Sequence, residues 1–102
     1  MLFRIISGLG KTIRLEEKIM AHILEHPEMR SQLNRIKETA TKPDEIHKSI
    51  RVENVVLFYK FFERTPVGKK YMVVVAKLDN DEYSIVTAYY TDRVKEGDLI
   101  WP

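Results

Sequence analysis

Two histidines spaced four residues apart, His22 and His26, are the residues of this sequence best suited to proton transfer. An imidazole titrates near neutral pH and can therefore act as a general acid or base. Helical HxxxH spacing also occurs in zinc proteases of the HExxH type, but Ile23 stands where that motif needs glutamate. We therefore expect no metal and no cofactor. The alternative is that both histidines are solvated or capping residues.

Cationic and hydroxyl side chains accompany the histidines in the types that a metal-free ribonuclease uses. Such groups stabilise the charge of a pentacovalent phosphate. Lys60 is the only cation inside the otherwise apolar run Val55–Phe62, where it either binds phosphate or extends to water at a sheet edge. The other candidates are Arg14, Lys18, Arg64 and Arg93, with the hydroxyls of Tyr59, Thr87, Tyr89 and Tyr90.

These groups are expected to be positioned by a central β-hairpin. Two runs of β-branched and aromatic residues, Tyr71–Leu78 and Tyr83–Tyr90, flank an acidic turn at 79–82. In the first run every second residue is apolar: Met72, Val74, Ala76 and Leu78. This alternation predicts that one face of the hairpin is buried under the helices.

The rest of the chain predicts an α+β fold, with helices followed by a curved antiparallel sheet of about four strands and short N-terminal strands. Apolar periodicity favours one helix from Leu15 to His26 and a second over Pro27–Thr39. Asp44 is expected to cap a short helical turn that runs to Ser49. The remaining elements are short strands within 2–15, a strand at Val55–Phe62, a capped turn or short helix at Thr91–Gly97, and a closing strand at Leu99–Trp101.

Length and composition indicate one domain over residues 1–102 in a reducing compartment. The chain has no cysteine, a formal net charge of +2 and 31% charged residues, so disulfides and thiolate metal sites are excluded. Its apolar runs are shorter than the ~20 residues of a membrane span, and the first nine residues do not resemble a secretory signal. We therefore expect a cytoplasmic protein without a membrane partner.

Several short motifs resemble, in the same order, those of phage-associated nuclease-like domains in the barnase–EndoU–colicin–RelE superfamily. The most informative is AHILEHPEM at 21–29, similar to the HI-x-x-(R)HPE pattern. KPDEI at 42–46, FYK at 58–60 and KYMVVV at 70–75 follow it, and TAY at 87–89 and KEGDLIW at 95–101 complete the series. The resemblance covers about residues 11–101.

The resemblance implies a RelE- or barnase-like fold and a metal-independent RNA-cleaving activity of toxin type. It identifies His22, His26, Lys60 and Thr87 as catalytic candidates. The substrate-binding candidates come from the cationic and hydroxyl residue types alone: Arg14, Lys18, Tyr59, Arg64, Tyr89 and Arg93. RNA is the expected partner, together with an inhibitor or antitoxin protein. Two other functions stay open: a catalytically silent RNA- or protein-binding module of the same fold, and a structural module with surface histidines.

Overall fold

The protein is dominated by one large β-sheet. A computed structural model describes residues 1–94 and 97–102. Within them two helices occur, α1 (Glu17–Ile23) and α2 (Leu33–Thr41), separated by a 3-10 turn at Pro27–Met29. The seven strands are β1 (Phe3–Ile6), β2 (Thr12–Leu15), β3 (Glu45–Lys48), β4 (Val55–Thr65), β5 (Gly68–Asp79), β6 (Glu82–Thr91) and β7 (Asp98–Trp101).

The sheet has the strand order β1-β2-β6-β5-β4-β3-β7. All described pairings are antiparallel except the short parallel pairing of β2 with β6. The predicted fold class, helices followed by an antiparallel sheet of about four strands, is therefore wrong: the fold is a mixed sheet of seven described strands with two short helices.

Two errors in the prediction explain why the sheet has more strands than expected. The segment 44–49, expected to be a helical turn capped by Asp44, forms β3, and Asp44 Oδ2 instead accepts a hydrogen bond from the Phe61 backbone N–H at 2.7 Å. The N-terminal strands also do not stand apart, because Arg14 of β2 pairs with Ser84 of β6. The pairing of Arg14 with Ser84 connects segments distant in sequence, which local periodicity does not reveal.

The helices are shorter than their periodicity predicts. Helix α1 ends at Ile23, and Leu24–His26 form a turn before Pro27, which begins the 3-10 turn rather than a second α-helix. Because proline removes a backbone donor and favours the first helical turn, it separates these two elements. Helix α2 begins six residues later, at Leu33.

The sheet has two faces: the helices cover one, called the helix-covered face, and the other is called the opposite face. On the helix-covered face, Met72, Val74 and Ala76 of β5 pack with α1 and α2 in the main core, and Leu78 is half-buried beside them. The prediction that this alternating set lies under the helices is confirmed. The opposite face carries a smaller buried cluster of Leu57, Tyr59 and Val73.

Two described residues between β6 and β7, Val94 and Gly97, contact the opposite face. Strand β6 is third in the sheet and β7 is last, so the chain must pass β5, β4 and β3 to join them. Val94 packs on the cluster of Leu57, Tyr59 and Val73, and the Gly97 carbonyl reaches His47. The turn or short helix expected at Thr91–Gly97 includes Lys95 and Glu96, which lie outside the described residues. The closing strand is confirmed as β7.

Candidate functional site on the opposite face

Cross-strand pairing arranges the side chains of the opposite face in rows, because directly paired residues share a face, and three of these rows contain the groups of interest. The first row contains Thr91, Tyr71 and Phe61, and the ring centroids of Phe61 and Tyr71 lie 5.3 Å apart. The second row contains Tyr89, Val73, Tyr59 and Glu45, and the third Thr87, Val75, Leu57 and His47. Hydroxyls therefore lie at the β6 end of each row, and an acid–base pair lies at the β3 end.

His47 is held by two acceptors and one aromatic ring. Its Nε2 lies 2.9 Å from Glu45 Oε1, and its Nδ1 lies 3.3 Å from the Gly97 carbonyl oxygen. The edge of its ring meets Tyr59, with 5.4 Å between centroids and 84° between planes. Since neutral imidazole has one N–H, only the doubly protonated ring donates to both acceptors. The His47 side chain is 11% exposed and that of Glu45 is 38% exposed, so solvent reaches the pair mainly through the carboxylate.

The β6 end of the face combines hydroxyls with an arginine. Arg14 Nε donates to Ser84 Oγ at 3.0 Å, where β2 pairs with β6. Thr87 is half-buried and lies three residues after Ser84 on β6. The pairing of β6 with β5 is irregular between these two residues. Thr87 and His47 are three strand spacings apart, about 14 Å. They therefore cannot contact the same phosphate, although one short RNA strand can span both.

The two predicted catalytic histidines lie on the side of the helices. His22 belongs to α1, whose Met20 and Ile23 pack in the main core beneath the helix-covered face. His26 precedes the 3-10 turn and does not continue the helix, so the one-turn helical spacing assumed for the pair does not exist. Both are exposed, and His22 Nδ1 lies 3.7 Å from Glu25 Oε1. The structure does not bring them together with Thr87, which belongs to the opposite face.

Lys60 also belongs to the helix-covered face, because it pairs with Met72. Its ammonium donates to the carbonyl of Lys42 at 2.9 Å, where α2 ends, and lies 3.8 Å from Glu38 and 3.7 Å from Asp44. A cation at a helix C-terminus satisfies a carbonyl that has no partner within the helix. These contacts give Lys60 a structural role.

The predicted substrate-binding residues are divided between several places. Arg14 and Lys18 line one surface pocket of about 510 Å³ together with Glu16 and Glu17. Tyr59 is buried beside His47, whereas Tyr89 is 38% exposed on the same face. Arg64, near the end of β4, and Arg93, just after β6, are both exposed.

The Glu45–His47 pair was not predicted as a site. In a strand, residues i and i+2 share a face, so the sequence Glu-Ile-His would have indicated the pair if residues 45–48 had been recognised as a strand. Within residues 1–94 and 97–102, no three histidine or acidic side chains are grouped closely enough to hold a metal ion. A second pocket, of about 400 Å³ between Lys48, Asn54, Tyr83 and Ile100, contains none of the predicted site residues.

Comparison with protein-family models identifies the class of protein as a nuclease-like domain. Residues 3–102 match the model described as phage-Barnase-EndoU-ColicinE5/D-RelE like nuclease2. The chain belongs to this family, and the superfamily suggested by its motifs is confirmed. A search of curated proteins and a search of solved structures each gave no match. Neither helix in the described residues is long and apolar enough to cross a membrane.

Proposed function

We propose that the protein is a metal-independent endoribonuclease and that the Glu45–His47 pair on the opposite face of the sheet is its acid–base centre. The observation that carries this proposal is the 2.9 Å contact between Glu45 Oε1 and His47 Nε2, in a chain of a nuclease-like family. Family membership supports nuclease chemistry in general. The choice of RNA rests on the ability of such a pair to move the proton of a 2′-hydroxyl.

In the proposed reaction the 2′-oxygen of RNA attacks the adjacent phosphorus. Glu45 takes the 2′-hydroxyl proton while the new P–O bond forms. His47, in its imidazolium form, withdraws its Nε2–H from Glu45 and gives that proton to the 5′-oxygen as the P–O5′ bond breaks. The products are a 2′,3′-cyclic phosphate and a 5′-hydroxyl. Groups further along the rows, Thr87 and Arg14, bind phosphates flanking the one that is cleaved.

The test is digestion of mixed RNA in EDTA between pH 5 and 8, with analysis of the ends produced. His47→Gln and Glu45→Gln should each lower the rate about a hundredfold or more, in line with general acid–base contributions. His22→Ala is the matched control, because this histidine is exposed on α1, and its rate should stay within a few-fold of wild type. Urea unfolding of each variant separates loss of catalysis from loss of folding.

Other results would support other functions. If His22→Ala or His26→Ala lowers the cleavage rate a hundredfold while His47→Gln stays active, the catalytic residues lie on the helix side of the molecule. Intact RNA after incubation with folded wild-type protein would favour a catalytically silent binding module. The low exposure of His47 favours that second function, because a buried, fully bonded histidine can serve packing alone.

We further propose a toxin-type role in the cytoplasm, with an inhibitor or antitoxin protein as partner. The reasoning is chemical: an active endoribonuclease would damage the cell that makes it unless it were inhibited. Growth arrest on expression of wild-type protein, relieved by Glu45→Gln, would support this role. Normal growth during expression of protein that cleaves RNA in vitro would contradict it.

A further inference from the structure

We infer that Phe61 and Tyr71 form a base-stacking subsite that selects unpaired RNA, a property that rests on the proposed function but concerns binding rather than cleavage. Both residues lie in the first row of the opposite face and contact each other edge to face at 5.3 Å. Phe61 is 40% exposed, an unusual exposure for a phenylalanine in a central strand.

The structure separates Phe61 from the other aromatic residues of its strand. Phe58 is completely buried and packs edge-on against Tyr83. Tyr59 is 2% exposed beside His47, and Phe62 is half-buried beneath the Arg35 guanidinium, 4.8 Å from its ring centroid. Phe61 is therefore the member of the FYKFF run whose ring is available to a ligand.

The position of Phe61 suits an RNA strand that also reaches the acid–base pair. Phe61 lies two residues beyond Tyr59 on β4, or about 7 Å along the strand, and Tyr59 contacts His47. Tyr89, at the β6 end of the next row, adds a second exposed aromatic ring.

Charge complementarity favours a nucleic acid as the occupant. Lys69, two residues before Tyr71 on β5, is 73% exposed, and its Nζ lies 3.8 Å from Glu63 Oε1. An exposed ion pair of this kind contributes little to stability, so Lys69 can exchange its partner for a phosphate at small cost. A base on the aromatic pair and a phosphate at Lys69 make a subsite for one nucleotide. Bases inside a duplex are stacked on each other, so this subsite takes an unpaired base.

The test measures binding of a fluorescein-labelled 2′-O-methyl RNA strand, which lacks the attacking hydroxyl and stays intact. Phe61→Leu should weaken its binding about fivefold or more, as expected for loss of one stacked base. The same substitution should leave binding of the matching duplex, and of a strand with abasic sites in place of its bases, unchanged. Phe61→Trp should retain the affinity of wild type.

Two controls make the result specific. Trp101→Leu removes a similarly exposed aromatic ring, 37% exposed on the edge strand β7, and should have little effect. Lys69→Gln should lower the salt dependence of binding by about one unit of slope, whereas Phe61→Leu should not change it.

Equal losses for the normal and abasic strands, equal losses in Phe61→Leu and Trp101→Leu, or no measurable binding by wild type would each overturn the inference. Because the probe cannot be cleaved, the inference and the proposed enzyme can fail separately. If Phe61→Leu weakens binding of the normal strand but not of the abasic strand, and the wild type cleaves no RNA, the subsite is supported and the nuclease is rejected. If Phe61→Leu changes neither RNA cleavage nor RNA binding, the nuclease is kept and the stacking subsite is rejected.

Discussion

Gly97 is the position at which a single added methyl group should disturb both the fold and the proposed site. Its φ is +72°, and a Cβ built on it would lie 1.7 Å from the carbonyl oxygen of Lys48. The left-handed conformation costs alanine roughly 1–2 kcal/mol. The contact requires more, because the obstacle is backbone of β3 and the start of β7 must move away from it. Loss of one or two hydrogen bonds between these strands adds about 0.5–1.5 kcal/mol each.

We therefore expect Gly97→Ala to lower the free energy of unfolding by about 2–4 kcal/mol, measured by urea denaturation with an unchanged m-value. Gly10→Ala is the matched control: its φ is +87°, but apart from Gly10 and its two chain neighbours no heavy atom of the described structure lies within 4 Å of the added Cβ. It should lose only the conformational part, about 1–2 kcal/mol. Equal losses in the two variants would refute the role assigned to the contact with Lys48. If Gly97→Ala also shifts the carbonyl from His47, RNA cleavage should fall further than stability alone explains.

Three further predictions concern stability. Val74→Ala, in the main core, should cost about 1–3 kcal/mol in urea unfolding, whereas Val86→Ala, at a site 39% exposed, should cost less than about 0.5 kcal/mol. Lys60→Gln should lower stability by about 1 kcal/mol or less and leave the salt dependence of RNA binding unchanged, and a flatter dependence would show that Lys60 does bind phosphate. Burial raises the pKa of Tyr83 above its ordinary value of 10.0. The unfolded chain therefore loses this phenol proton first, stability should fall as pH rises above about 10, and Tyr83→Phe should reduce that fall relative to wild type.

The parts of the fold that depend on local pattern were predictable from the sequence. The hairpin of β5 and β6 follows from two runs of strand-forming residues around a polar turn, and the burial of Met72, Val74 and Ala76 follows from their alternation. β3 was missed because four residues with one aliphatic side chain carry almost no periodic signal. Its strand conformation comes from pairing with β4 on one side and β7 on the other.

The site was less predictable than the fold because its residues are assembled across strands. The four-residue spacing of His22 and His26 predicted a catalytic pair because a helix of sufficient length would have aligned the two side chains. The turn before Pro27 ends the helix before it reaches His26. The sequence has no glycine there to predict that α1 ends at Ile23. His47 had no such pattern around it in a segment expected to be helical, and its partner Gly97 lies fifty positions away.

Distances across the sheet also limit how the proposed groups can cooperate. Glu45 and His47 are in direct contact, so one substitution changes both, and their effects on catalysis should not add. Thr87 is about 14 Å from His47, beyond the range at which two groups act on one phosphorus. An RNA strand that uses both must therefore cross β5 and β4 and lie across the strands, over the surface that Val94 partly covers. In the proposed binding mode Val94 thus borders the path of the RNA, and the Gly97 carbonyl completes the surroundings of His47.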